Sequence, residues 1–184
     1  KVETKANQVM NLINQFFTLA KLESGDTNIN LGKVNINEIC RENVLEFYDI
    51  LLQKDFDVDL FIPETAIFVQ GEKEALQRIL YNLLSNVIRY GSDGKYLGVF
   101  LRQDKSNVYI DVVDKGKGIE QEFASNVFDR LYTMEDSRNR EIQGNGLGLT
   151  IAKNLAKQLE GDIFLNSIPN VKTTFTVSLK KITY

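Results

Sequence analysis

The sequence has no histidine and no tryptophan, and only one cysteine and two prolines in 184 residues. Without histidine it lacks the commonest general base near neutral pH, the commonest transition-metal ligand and the base of Ser-His or Cys-His nucleophile pairs. Its chemistry must therefore use carboxylates, amides, arginine, lysine or a bound cation. One thiol, Cys40, excludes an intrachain disulfide, a Cys-x-x-Cys redox pair and a cysteine-rich zinc site, and it fits a reducing compartment. No apolar run approaches the roughly 20 residues that span a bilayer, and the start lacks the layout of a secretory signal. With 22 basic and 25 acidic residues the formal charge is −3, too weak a field to gather nucleic acid or an anionic membrane. What is present, 43% hydrophobic and 26% charged residues, is the composition of a folded domain with one core and a small appendage. The first residue is Lys1, so the sequence reads as a piece cut from something longer, with a membrane anchor upstream left open.

Hydrophobic spacing sets the expected elements. Val9, Leu12, Ile13, Phe16, Leu19 and Ala20 form a helical stripe that stops at Gly25. Such a stripe either lies on the domain or pairs with another helix. Residues 27–32 read as a linker. Residues 34–36 read as a strand, with Asn37 capping a helix that carries Ile39, Cys40, Val44, Phe47 and Leu51. Residues 56–62 and 66–69 read as strands, and 72–90 as a long helix with Leu76, Ile79, Leu80, Leu83, Leu84, Val87 and Ile88 on its apolar face. Paired strands follow at 97–102 and 108–113. Residues 114–148 carry glycines and charges without periodicity and read as a lid. A helix at 149–159 stopped by Gly161, and closing strands at 163–165 and 173–179, complete the chain. Helices and strands mix without strict alternation, which predicts an α+β sandwich with helices on one face of a mainly antiparallel sheet.

Four segments carry candidate chemistry. Asn82, Asn86, Arg89 and Tyr90 share one edge of an apolar helix; amide oxygens suit Mg²⁺ and a guanidinium suits phosphate, although a solvated helix face explains the same letters. Asp114, followed by Gly116 and Gly118, stands at a strand end before a loop able to pass close to a ligand, where a carboxylate can accept an adenine amine. Gly144, Gly146 and Gly148 open a helix and expose N–H groups to phosphate at its positive end, without the Lys-Ser/Thr of a P-loop or a surrounding βαβ unit. Between them, Phe128 and Tyr132 can anchor a loop from which Arg130 reaches phosphate; a charged surface loop accounts for these residues nearly as well.

In order, Asn82-x-x-x-Asn86-x-x-Arg89-Tyr90, Asp114-x-Gly116-x-Gly118, Phe128-x-Arg130 and Gly144-x-Gly146-Leu147-Gly148-Leu149 resemble the N, G1, F and G2 boxes of sensor histidine kinases. Residues 12–25 resemble the second helix of that family's dimerisation and phosphotransfer hairpin. The resemblance implies residues 1–26 as part of that hairpin and 27–184 as the ATP-binding catalytic domain, a Bergerat α/β sandwich preceded by the N-terminal helix. It implies that Asn86 binds Mg²⁺ with help from Asn82, that Arg89 and Arg130 approach phosphate, and that Tyr90 packs on adenine. Asp114 would take the adenine amine, Gly116 and Gly118 would give the base room, and Gly144, Gly146, Gly148 and Leu149 would hold the phosphates of ATP. It further implies a homodimer in the full-length protein, a response-regulator partner, no nucleic acid, and a cytoplasmic location beneath a bacterial membrane anchor outside this sequence.

Two features depart from the family. Leu131 replaces the second Phe of the F box, and the phosphoacceptor histidine is missing. Gyrase-like relatives place a water-activating glutamate where this sequence has Asn82; an amide cannot take that proton near neutral pH, which favours transfer to a protein side chain over hydrolysis. A nucleotide-responsive interaction module without phosphotransfer is the alternative reading. An anti-sigma-type serine kinase fits less well, because the hairpin remnant has no place in it.

Overall fold

A computed structural model describes residues 2–129 and 147–183. The elements are α1 (Val2–Ser24), β1 (Gly32–Asn35), α2 (Ile36–Glu46), α3 (Tyr48–Gln53), β2 (Asp57–Phe61), β3 (Phe68–Gly71) and α4 (Lys73–Tyr90). After a single 3₁₀ turn (Ser92–Gly94) come β4 (Tyr96–Gln103), β5 (Asn107–Asp114), α5 (Gln121–Ala124), α6 (Gly148–Gln158), β6 (Asp162–Ile168) and β7 (Lys172–Lys180). Five strands form a sheet in the order β2-β4-β5-β7-β6; β2 and β4 are parallel, and the other pairs are antiparallel. β1 and β3 make a separate antiparallel pair.

Alternation along the strands puts apolar rows across one face. Val99, Val112, Phe175 and Leu165 lie side by side over four strands, as do Leu101, Ile110, Val177 and Ile163. The α4 stripe of Leu76, Ile79, Leu80, Leu83, Leu84 and Val87, together with Ile151, Ala152 and Leu155 of α6 and Leu159 just after it, joins these rows in one core. Each fully buried Leu, Ile or Phe there contributes roughly 1.5–3 kcal/mol. The next row over, Phe100, Asp111, Thr176 and Phe164, is half-buried or exposed. The expected helices-on-one-face sandwich is thus observed. The edge strand β2 is exposed along its whole length.

Local chemistry moves several boundaries. The α2 cap is Asn35, whose side chain accepts from the N–H groups of Asn37 and Glu38. Asn37, expected as that cap, is instead 1% exposed: its Nδ2 donates to the Pro63 and Thr65 carbonyls at 2.7 and 3.0 Å, and its Oδ1 accepts from Ile67 N–H at 2.8 Å. The helix expected to continue to Leu51 breaks at Phe47, so Phe47 reaches the core from the junction between α2 and α3 and Leu51 from α3. At the end of α6 the left-handed residue is Glu160, φ +62°, and not Gly161. Gly161 is required for another reason, since a Cβ there would stand 2.1 Å from the Ser178 carbonyl oxygen. Gly25 does end α1, at φ +74°.

The α1 stripe divides between its two expected uses. Leu19 and Leu22 are buried near α6, and Gln158 Nε2 donates to the Leu22 carbonyl at 3.1 Å. Further from the domain Val9, Met10, Leu12, Ile13, Phe16 and Phe17 are exposed.

Candidate functional site

The long helix α4 presents its polar edge unevenly. Asn82 is 7% exposed and its Nδ2 donates to the Gly148 carbonyl at 3.0 Å, so this amide bolts α4 to the start of α6 across 66 residues of sequence. A solvated helix face does not describe Asn82. One turn on, Asn86 is half-buried and its side chain makes no hydrogen bond among the described residues, leaving its oxygen available. Arg89 is exposed and makes no ion pair among the described residues; Tyr90 is half-buried.

Asp114, the last residue of β5, lies beyond the end of α4. It is 5% exposed, and its Oδ1 accepts from Gly116 N–H at 2.9 Å. No other group among the described residues donates to this carboxylate. Burial pushes its pKa up, with the Gly116 bond opposing the rise. The backbone crowds around it: a Cβ on Gly91, the α4 cap, would stand 2.7 Å from the Asp114 carboxyl carbon, and one on Gly116 would stand 2.8 Å from Gly91 Cα. Gly116 thus has a packing reason of its own beside any room it gives a ligand. Gly118 adopts φ +81°, a conformation that favours glycine.

The third wall is the start of α6. Leu147 provides no side-chain cap and the first turn carries no acid, so among the described residues no side chain caps the first N–H groups, from Gly148 and Leu149 onward, where an anion is favoured. Thr150 Oγ1 donates to the Phe128 carbonyl at 2.8 Å, and the Phe128 ring meets Phe175 edge-on at 6.2 Å, which anchors the polypeptide just before Asp129. Arg130, Tyr132, Gly144 and Gly146 lie outside the described residues, as does most of the expected lid.

Residues 82–90, 114–118 and 148–149 therefore converge on one place: a buried, under-donated carboxylate at one end and, at the other, an amide oxygen and helix N–H groups without side-chain partners among the described residues. Gly91 reads from sequence only as part of a turn, since its role depends on Asp114, and nothing local marks Thr173, which lies opposite Asp114 in the β5–β7 register and is 2% exposed. Cys40 takes no part, because burial pushes its thiol up to about 12. Among the described residues no three His, Cys, Asp or Glu side chains are grouped to hold a metal, so a cation here would need oxygen ligands from a bound molecule.

The family model of histidine kinase-, DNA gyrase B-, and HSP90-like ATPases matches residues 71–183, the span holding all three walls. Sensor histidine kinase YcbM of Bacillus subtilis (strain 168) is 48% identical over the whole chain, which covers 59% of YcbM. Full-length ShkA, crystallised in complex with AMPPNP, superposes with a TM-score of 0.84 at 17% identity, over 98% of this chain and 37% of that one. Acinetobacter baumannii histidine kinase AdeS gives 0.74 at 21% identity, over 99% of this chain and 84% of that one. At such identities the two structures establish a shared fold. The chain spans less than two thirds of the length of the curated relatives it matches.

Proposed function

Because the chain belongs to the histidine kinase-, DNA gyrase B- and HSP90-like ATPase family, we propose that it is the ATP-binding catalytic part of a sensor histidine kinase. The observation that carries the reading is Asp114. A carboxylate buried to 5% exposure with a single donor is costly unless a ligand supplies another, and the exocyclic amine of adenine is such a donor. Phosphates would then extend towards the uncapped start of α6. Mg²⁺ fits the same arrangement: the Asn86 oxygen would be its one protein ligand, phosphate oxygens would complete the shell, and the ion would supply charge neutralisation.

In this reading Asn82 keeps the α6 N–H groups beside the phosphates, Arg89 adds positive charge, and Tyr90 covers the base. Arg130, Gly144, Gly146, Gly148 and Leu149 complete the phosphate side. Asn82 cannot act as a base for water, and no residue of this chain is a histidine, so the phosphoryl acceptor is supplied by another segment. Residues 1–26 are proposed as the second helix of the dimerisation hairpin, for which the exposed Val9, Leu12 and Phe16 of α1 speak. A response regulator as the next acceptor, and a cytoplasmic location beside a membrane anchor, complete the proposal.

Calorimetric titration with ADP and with a non-hydrolysable ATP analogue, each with and without Mg²⁺, tests the pocket. One saturable, Mg²⁺-sensitive site per chain is expected, and no binding at millimolar nucleotide would overturn the reading. Asn86→Ala should abolish most of the Mg²⁺ enhancement while leaving Mg²⁺-free ADP binding nearly unchanged. For phosphotransfer, a protein extended upstream of residue 1 should become labelled from γ-labelled ATP on a histidine of the added segment.

A further inference from the structure

The loop after Asp114 is tied to the β6–β7 hairpin. Asn170 N–H donates to the Lys117 carbonyl at 2.8 Å, and Ile119 N–H donates to Ser167 Oγ at 2.9 Å. The same Ser167 oxygen lies 2.9 Å from Thr173 Oγ1, and Thr173 is the direct cross-strand partner of Asp114. Gly118 sits between the two ties, and a Cβ on it would stand 2.9 Å from both Pro169 Cα and Ser167 Oγ. The loop is thus held close against the hairpin.

We infer that Ser167 is a positioning residue of the nucleotide pocket, fixing through Ile119 N–H the path of the loop whose Gly116 N–H orients Asp114. The inference rests on the nucleotide reading above and adds to it a residue from the edge strand β6. Its physics is that of a half-buried donor with one acceptor. Without the Ser167 oxygen, Ile119 N–H loses its partner, the loop gains freedom, and the Gly116 bond that sets the carboxylate's orientation is no longer held. The hydroxyl of Thr173 holds the Ser167 oxygen in place whichever of the two donates, because a hydroxyl has two acceptor lone pairs and one remains for Ile119 N–H.

The test titrates the unmodified chain, Ser167→Ala and Ser167→Thr with ADP and with GDP, well below the melting temperature of each. Ser167→Ala should weaken ADP binding about five- to tenfold, the size of one lost hydrogen bond, and narrow the preference for ADP over GDP. Ser167→Thr, which restores the hydroxyl, should bind ADP within about twofold of the unmodified chain. A purely structural role would lower the melting temperature of Ser167→Ala and leave its ADP affinity and base preference intact, which would overturn the inference. If Ser167→Ala does not fold, hydrogen exchange of the unmodified chain decides: a protected Ile119 amide supports the tie, and one exchanging at the rate of an unstructured amide refutes it. Absence of ADP binding by the unmodified chain would instead remove the nucleotide reading itself, and this inference with it.

Discussion

Asp114→Asn should raise the melting temperature and, in the same protein, cut ADP affinity about 10- to 100-fold, the loss expected for one hydrogen bond to a charged group. The two effects have one cause. In the native chain burial holds the Asp114 pKa above that of an unfolded aspartate, so the group's contribution to stability is fully present below the unfolded pKa and is lost as pH rises through the folded one. At neutral pH the folded protein therefore carries the penalty of a buried charge, and an uncharged isostere removes it. The substituted amide keeps its oxygen on Gly116 N–H and turns its NH₂ towards the ligand, donor against the adenine amine. Guanine presents a carbonyl there, so the ADP over GDP preference should shrink or reverse. The same pKa direction predicts that ADP binding by the unmodified chain weakens on acidification, beginning above the pH at which an ordinary aspartate titrates. Thermal melts and titrations of Asp114→Asn at neutral pH check both halves. Unchanged ADP affinity would place the base elsewhere, and a lowered melting temperature would show that the carboxylate is structurally compensated.

Asn37→Ala should be the most damaging single truncation outside the hydrophobic core, costing about 2–4 kcal/mol, and should leave ADP affinity unchanged in the protein that remains folded. Among the described residues Asn37 alone bonds the Thr65 carbonyl and the Ile67 N–H, while the Pro63 carbonyl retains the Arg41 guanidinium at 3.1 Å. Truncation thus leaves the buried Ile67 N–H unpaired, roughly 1–3 kcal/mol, and loses the part-buried bond to the carbonyl of the exposed Thr65, about 0.5–1.5 kcal/mol more. Asn35→Ala removes only a helix cap, typically about 1 kcal/mol. Chemical denaturation of the two variants separates the roles. If Asn35→Ala cost as much as Asn37→Ala, the cap would dominate and the loop tie would carry little.

Those two asparagines mark where reading the sequence stops. Asn35 and Asn37 are equally good cap residues in sequence, and only the return of residues 63–67 to the start of α2 decides which one caps and which is buried. The motif residues behaved in the same way. Asn82 and Asn86 are legible as neighbours on one helix face because a helix repeats every 3.6 residues, yet their difference, one bolted to Gly148 and one without a hydrogen bond among the described residues, comes from α6. Gly161 was legible as a stop, but its constraint comes from Ser178 on β7.

By itself the sequence determined the apolar rhythm of α4 and α6, the alternation of β4, β5 and β7, the helix end at Gly25, the absence of a histidine nucleophile partner, and the order of four motifs that resemble a nucleotide site. These are properties of short stretches, fixed by the period of each element and by what glycine or an amide can do locally. The tertiary structure decided the sheet order, the burial of Asp114, the pairing of Asp114 with Thr173, the tie from Ile119 to Ser167, and the split of α1 into a docked end and an exposed stripe. Each of these depends on contacts between residues far apart in the chain, where burial and register are set by packing and leave no trace in local spacing.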